Sequence, residues 1–193
     1  MLPLRRVVAP ALVFALAACG GSEAKPPAQG GICKDTPAAA PACVRGRTIV
    51  LVRHAEKGAE GGKDPSLSDR GKARAKTIAG LLASSGVTRL VATPYKRTQE
   101  TLAPLASMLS LQVEAAAPDK TKALLESAPD GAVTVVATHS NVIPPLVKEL
   151  AGGAKLRGVD GDLLPEEDYG RVVVIAQPCG AKPFVVELSS NVE

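Results

Sequence analysis

The chain has 193 residues, about one domain's worth, and its 46% hydrophobic content is enough to build a core. Aromatic residues make up only 2% and Trp is absent, which argues against a nucleic-acid binder that stacks bases on aromatic rings. The formal charge of +4 suits anionic partners without amounting to a basic patch.

Residues 1–18 begin with Arg5 and Arg6, continue through the apolar run 7–18 and end on small residues. That is the layout of a secretory signal peptide, and the run is too short for a stable bilayer span of about 20 residues. The segment LAAC, 16–19, resembles a bacterial lipobox, which implies that Cys19 becomes the lipidated first residue of the mature chain. Gly20 after that cysteine resembles the pattern sorted to the outer membrane. The expected address is therefore the outer membrane, lipid-anchored, on the periplasmic side. Residues 19–46 are rich in Gly, Ala and Pro and have no periodicity, so they read as a tether. The domain proper is expected over 47–193.

Cys33, Cys43 and Cys179 remain, in a compartment that permits disulfides. Cys43 precedes the first strand and Cys179 follows a late one. If those strands are antiparallel neighbours the two ends meet, which favours Cys43–Cys179. Cys33–Cys43 and Cys33–Cys179 stay open.

Apolar runs at 47–53, 89–92, 132–138, 171–176 and 184–188 predict strands buried on both faces, with a weaker candidate at 111–115. Ser68 can cap a helix to about residue 84, with Ala75, Ile78, Ala79 and Leu82 on one stripe and Gly86 as its stop. A second helix follows Arg97 with Leu102, Leu105, Ala106 and Leu109 on one face; Pro104 should kink or restart it. A short third helix covers 119–127. A fourth follows His139, with Pro144 and Pro145 in its first turn. Strands alternating with helices predict a three-layer α/β/α sandwich with a mostly parallel sheet. The last two strands are joined by QPCGAKP, too short for a helical crossover, so they should form a hairpin that gives the sheet an antiparallel strand near the C-terminus.

The chain's two histidines, His54 and His139, both follow putative strands, at the sheet edge where open α/β folds bind ligands. Arg97 opens a helix after another strand, and free backbone N–H groups at such a start favour an anion. Arg53 adds a second fork beside His54. Two imidazoles and two guanidiniums on one edge describe a pocket for a phosphate dianion.

The motifs LVRHAEK, LSDRGKARA, TPYKRTQETLAPLA and VVATHSN occur in the order found in the histidine phosphatase superfamily, the phosphoglycerate mutase-like fold. The resemblance covers roughly residues 47–190. The short stretch between Arg97 and His139 resembles the small phosphatase branch, and Ala55 stands where many members have Gly. The resemblance implies that His54 is the nucleophile and that Arg53, Arg97 and His139 clamp the phosphate oxygens. Mutase-type members use a carboxylate acid between the equivalents of Arg97 and His139; Glu114, Asp119 and Glu126 are the candidates, and Asp119 is the choice because its loop should reach the same edge. Glu56, Lys57 and Asn141 are expected at the pocket mouth, with Ser140 supporting His139. The implied activity is a metal-independent phosphomonoesterase working through a phosphohistidine, with no cofactor. Its expected partners are a small phosphorylated substrate or a phosphoprotein, and a membrane through the lipid anchor, but no nucleic acid. The alternatives are a non-catalytic phosphate-binding lipoprotein of the same fold and, less well matched by the short insertion, a mutase.

Overall fold

A computed structural model of the chain describes residues 45–59 and 62–190, all within one compact unit, Pro41–Glu193. The signal peptide, the lipidation site Cys19 and the tether up to residue 44 lie outside the described residues.

The apolar runs become six strands: β1 (Arg47–Arg53), β2 (Arg89–Ala92), β3 (Val113–Ala115), β4 (Val133–Thr138), β5 (Arg171–Gln177) and β6 (Phe184–Ser189). They form one sheet in the order β3-β2-β4-β1-β5-β6. The contacts β1–β4, β2–β4 and β2–β3 are parallel. Strand β5 runs antiparallel to both β1 and β6, so it is the one reversed strand, as the short β5–β6 connection requires.

Four helices cover the sheet: α1 (Asp69–Leu82), α2 (Lys96–Leu109), α3 (Pro118–Glu126) and α4 (Ile143–Leu150). Alternate residues of the same strands face two separate cores. Val50, Val52, Leu90, Ala92, Val135 and Ala137 pack against Ile78, Ala79 and Leu82 of α1 and Leu102 and Leu105 of α2. Ile49, Leu51, Val91 and Val136 pack against Leu125 of α3 and Ile143, Val147 and Leu150 of α4 on the other face. The double burial explains why β1, β2 and β4 read as continuous apolar runs. The run 184–188, also expected to be buried on both faces, is instead the edge strand β6, with Phe184, Val186 and Leu188 exposed.

The predicted punctuation mostly acts where it stands. The Ser68 side chain accepts from the N–H of Gly71 and caps α1, and Gly86 takes φ +69° just beyond its end. Pro144 and Pro145 occupy the first turn of α4, where a missing N–H costs little. One helix departs from expectation. α2 begins at Lys96, so Arg97 lies inside its first turn, and it continues through Pro104 as one helix. Leu102 and Leu105, on either side of the proline, are fully buried. Their packing outweighs the roughly 3 kcal/mol that an interior proline costs.

Cys179, in the β5–β6 turn, is disulfide-bonded, and its partner lies outside the described residues. The premise behind Cys43–Cys179 is met: β1 and β5 are antiparallel neighbours, with Arg47 opposite Gln177. No helix among the described residues is long and apolar enough to cross a membrane.

Candidate active site

Parallel strands carry their C-terminal ends to one rim, and the reversed strand β5 brings its N-terminal end to the same place. His54 therefore emerges from β1 and His139 from β4, with the His54 N–H still bonded to the carbonyl of Thr138 (2.9 Å). The N–H of Thr93, after β2, bonds the carbonyl of Ala137 in the same way (3.3 Å). These one-residue extensions of the ladder set the two imidazoles side by side, with ring centroids 5.4 Å apart. Beside them opens a cavity of about 550 Å³, lined by Arg53, His54, Arg97 and His139 and, further out, by Lys57, Tyr95, Ser140, Asn141 and Glu166 among others.

Each guanidinium is held without being used up. Arg53 is 5% exposed; its Nη1 donates to the carbonyls of Pro165 (2.9 Å) and Glu166 (2.7 Å), and its carbon lies 4.0 Å from the centre of the Tyr169 ring. Arg97 stacks over Tyr95 at 4.4 Å, with Asp64 Oδ1 3.6 Å from its Nη1. The Nε atoms of both arginines are buried with no hydrogen-bond partner. A buried donor without an acceptor costs about 1–3 kcal/mol, so two of them beside one cavity point to an anionic ligand.

The histidines are electronically prepared for different parts. His54 Nδ1 donates to the carbonyl of Ala55 (2.9 Å), which fixes the tautomer and leaves Nε2 with its lone pair. The peptide it leans on is itself fixed, because the Ala55 N–H donates to Thr101 Oγ1 (2.9 Å) on α2. Ala55 is fully buried against Leu67 and Ala75, so its methyl fills space that a glycine would leave empty. Burial lowers the His54 pKa to about 4; the Ala55 hydrogen bond works the other way, and the charges of Arg97, His139 and Arg53 add to the lowering. His139 Nε2 lies 3.0 Å from Thr93 Oγ1, which in turn meets Thr98 Oγ1 at 2.9 Å. Burial, then Arg97 and Arg53, lower the His139 pKa to about 4 as well. Both rings are neutral at pH 7. A dianion between the guanidiniums would offset their charge and draw a proton back onto His139.

The remaining candidates divide. Lys57, Ser140 and Asn141 line the cavity. Glu56 does not: its carboxylate receives Arg74 Nε (2.9 and 3.0 Å) and Nη2 (2.6 Å) and sits 3.3 Å from Arg70 Nε. It fastens the loop after His54 to α1. The same junction explains the glycine of LSDRG, since a Cβ on Gly71 would stand 2.3 Å from the Glu56 carbonyl oxygen.

None of the three carboxylates considered as the acid lines the cavity. Glu114 pairs with Arg89 at 2.7 Å. Glu126 ends α3 beside Arg47, at the opposite rim, where β1 begins. Asp119 does reach the neighbourhood, since the adjacent Pro118 lines the cavity, but its side chain is 69% exposed and meets Lys120 at 3.4 Å. It occupies the first turn of α3, where a carboxylate is favoured by the helix dipole alone. Asp119→Asn is accordingly expected to change kcat/KM by less than about twofold; a loss of 100-fold in steady-state assays would restore Asp119 as the acid. Among the described residues, the carboxylate that lines the cavity is Glu166. It comes from the acidic stretch before β5, which the reversal of that strand returns to this rim.

Residues 49–118 match the sequence model of the histidine phosphatase superfamily (branch 1). No curated protein matches the chain. Among solved structures, a putative phosphohistidine phosphatase SixA from Agrobacterium tumefaciens is 16% identical with a TM-score of 0.58, covering 74% of this chain and 97% of that one. A protein histidine phosphatase SixA complexed with tungstate is 17% identical with a TM-score of 0.56 over 74% and 97% of the two chains. A mycobacterial glucosyl-3-phosphoglycerate phosphatase is 14% identical with a TM-score of 0.55 over 76% and 100%. Residues 49–118 are thus similar to the histidine phosphatase superfamily (branch 1), and the phosphoglycerate mutase-like fold is shared with these solved structures.

Proposed function

We propose that this chain is a phosphomonoesterase that works through a phosphohistidine on His54 and needs no metal. The observation that carries the proposal is the pairing of a tautomer-fixed His54, its Nε2 unprotonated, with His139, Arg53 and Arg97 around one cavity. A phosphate-binding protein has no use for a nucleophilic nitrogen there.

The substrate's phosphoryl group would lie between the two guanidiniums, whose spare N–H groups meet its oxygens. His54 Nε2 attacks phosphorus as the P–O bond to the leaving group breaks, and the leaving oxygen takes a proton from the cavity mouth, where Glu166 is a carboxylate at hand. His139, protonated as the dianion arrives, donates to the oxygens that gain charge. Water then attacks the phosphohistidine, releases inorganic phosphate and restores neutral His54. Among the described residues no group of three His, Cys, Asp or Glu side chains is placed to hold a metal ion. The phosphate charge falls to Arg53, Arg97 and His139.

The substrate class follows only as far as a phosphomonoester, on a small molecule or on a protein. The glucosyl-3-phosphoglycerate phosphatase named above is of the small-molecule kind. The deciding experiment is turnover of 4-nitrophenyl phosphate in EDTA together with trapping of an acid-labile phosphoenzyme. Turnover without an adduct, or turnover abolished by the chelator, would reject the mechanism. We further propose, from Arg5, Arg6, the apolar run 7–18 and Cys19, that the enzyme is exported and lipid-anchored at the outer membrane, facing the periplasm. Labelling with radioactive palmitate in a bacterial host, lost in Cys19→Ser, is the check.

The lowered imidazole pKa values set a pH test with a definite sign. A histidine held at about 4 stays neutral while an unfolded one protonates near 6.5. Ring resonances of His54 and His139 should therefore show no titration between pH 8 and 5 by NMR in the phosphate-free enzyme. Folding stability should fall as pH drops from about 6.5 to 4, because only the unfolded chain gains protons there. A His54 titration midpoint near 6.5 would contradict the burial argument.

A further inference from the structure

Arg53 is unusual in what holds it. Among the described residues no carboxylate pairs with it; its guanidinium is fixed by two carbonyl oxygens, those of Pro165 and Glu166, and by the face of one aromatic ring, Tyr169, 4.0 Å away. The same ring stands 5.9 Å from that of His54. Tyr169 lies within a braced stretch. Next to it Asp168 accepts from Arg171 Nε (2.6 Å), and Arg171 also bonds Glu187 on β6. On its other side the Gly170 carbonyl accepts from the N–H of Ser190 (2.7 Å), whose own carbonyl receives Arg74. Further back the Leu164 N–H reaches the Ser140 carbonyl (3.1 Å), beside His139. The segment is thus tied to β5, to β6, to α1 and to the loop after β4, which is far more than a surface connection needs.

We propose that Tyr169 is a positioning residue for the phosphatase reaction: its ring face sets the plane of the Arg53 guanidinium, and so the direction of the N–H groups left to grip the phosphate. The inference rests on the phosphatase reading above. A planar cation buried to 5% and stacked on a ring is desolvated, the condition under which cation–π contacts are strongest. A carboxylate in the same place would hold Arg53 more firmly but would neutralise the charge that the phosphate requires. An aromatic face orients the guanidinium and leaves its charge available. Carbonyl oxygens at Nη1 do the same while occupying only one corner of the fork.

The ring, and not the hydroxyl, is the active part, which separates this role from others. Tyr169→Phe should bind orthovanadate and turn over 4-nitrophenyl phosphate as the parent enzyme does. Tyr169→Leu, apolar but without a ring face, should raise the vanadate Kd and the KM by about thirtyfold, the size of a desolvated cation–π contact. Its kcat should change less, since Arg53 grips ground state and transition state alike. Unchanged vanadate binding in Tyr169→Leu would overturn the inference. So would a Phe variant as weak as the Leu variant, which would transfer the role to the hydroxyl. So would an affinity loss matched by a fall in melting temperature that Tyr169→Phe fails to rescue. Vanadate calorimetry keeps the two proposals apart. If the parent enzyme binds vanadate but hydrolyses no phosphomonoester, the phosphatase reading fails, and the Phe–Leu comparison still decides what Tyr169 does to Arg53.

Discussion

His54→Asn is expected to lower turnover of any phosphomonoester by more than about 10³-fold, as losing a nucleophile does in hydrolases that form a covalent intermediate. Vanadate binding should change only a few-fold, because the variant keeps Arg53, Arg97 and His139. The reasoning is local. Asparagine places its amide nitrogen where His54 Nδ1 now donates to the Ala55 carbonyl, so the loop has no cause to move. It cannot supply the lone pair that Nε2 directs into the cavity. Single-turnover measurements with a radiolabelled substrate would show neither phosphoenzyme nor burst. Residual turnover within tenfold of the parent would mean that the group attacking phosphorus is something other than His54, and the site would have to be read as a phosphate clamp with activated water. Loss of vanadate binding in step with activity would instead show that His54 is needed to build the clamp.

The second large effect falls on stability. Glu56→Ala should destabilise the fold by about 3–5 kcal/mol, since it strands the buried Arg74 guanidinium without its counter-charge. The two side chains are 16% and 6% exposed and share a forked contact. Burial works to raise the Glu56 pKa, yet the bonds from Arg74 outweigh it and hold the carboxyl below its ordinary value of 4.5. The pair therefore contributes stability above that pH and loses it as the pH falls through the lowered value. In a domain of this size the melting temperature should drop by roughly 6–20 °C. Replacing both partners with apolar residues, Glu56→Leu with Arg74→Met, should recover most of the loss, because no charge is then left buried. Calorimetry of the single and double variants checks this. A Glu56→Ala enzyme with normal melting but a raised KM would return Glu56 to the pocket mouth where the sequence had suggested it.

The error over Glu56 shows what short-range reading can and cannot do. HAEK places a carboxylate two residues past the nucleophile, and proximity in the chain suggests proximity to the substrate. Whether such a side chain turns to the cavity or away is decided by what packs behind it. Here α1 offers Arg70 and Arg74 one turn apart, and the carboxylate goes to them. Asp119 fails for a related reason: its backbone comes to the rim, as Pro118 does, but its side chain turns to solvent and to Lys120. The mouth residues Lys57 and Asn141, by contrast, line the cavity.

By itself the sequence determined the layers and the rim. Continuous Val- and Ile-rich runs mark the strands, Ser68 and Gly86 bound a helix, and a short connection between the last two strands forces a hairpin, though the run 184–188 did not reveal that its strand would lie exposed at the edge. Parallel strands then carry every residue that follows them to one edge, so Arg53, His54, Arg97 and His139 had to converge. Tertiary structure alone decided the tautomer of His54, the depressed pKa values of both imidazoles, the seating of Arg53 on Tyr169 and the choice among carboxylates. Those depend on burial, on side-chain direction and on contacts between residues such as 53 and 169 that lie far apart in the chain. Periodicity reports which face of an element is covered; it carries no information on what covers it.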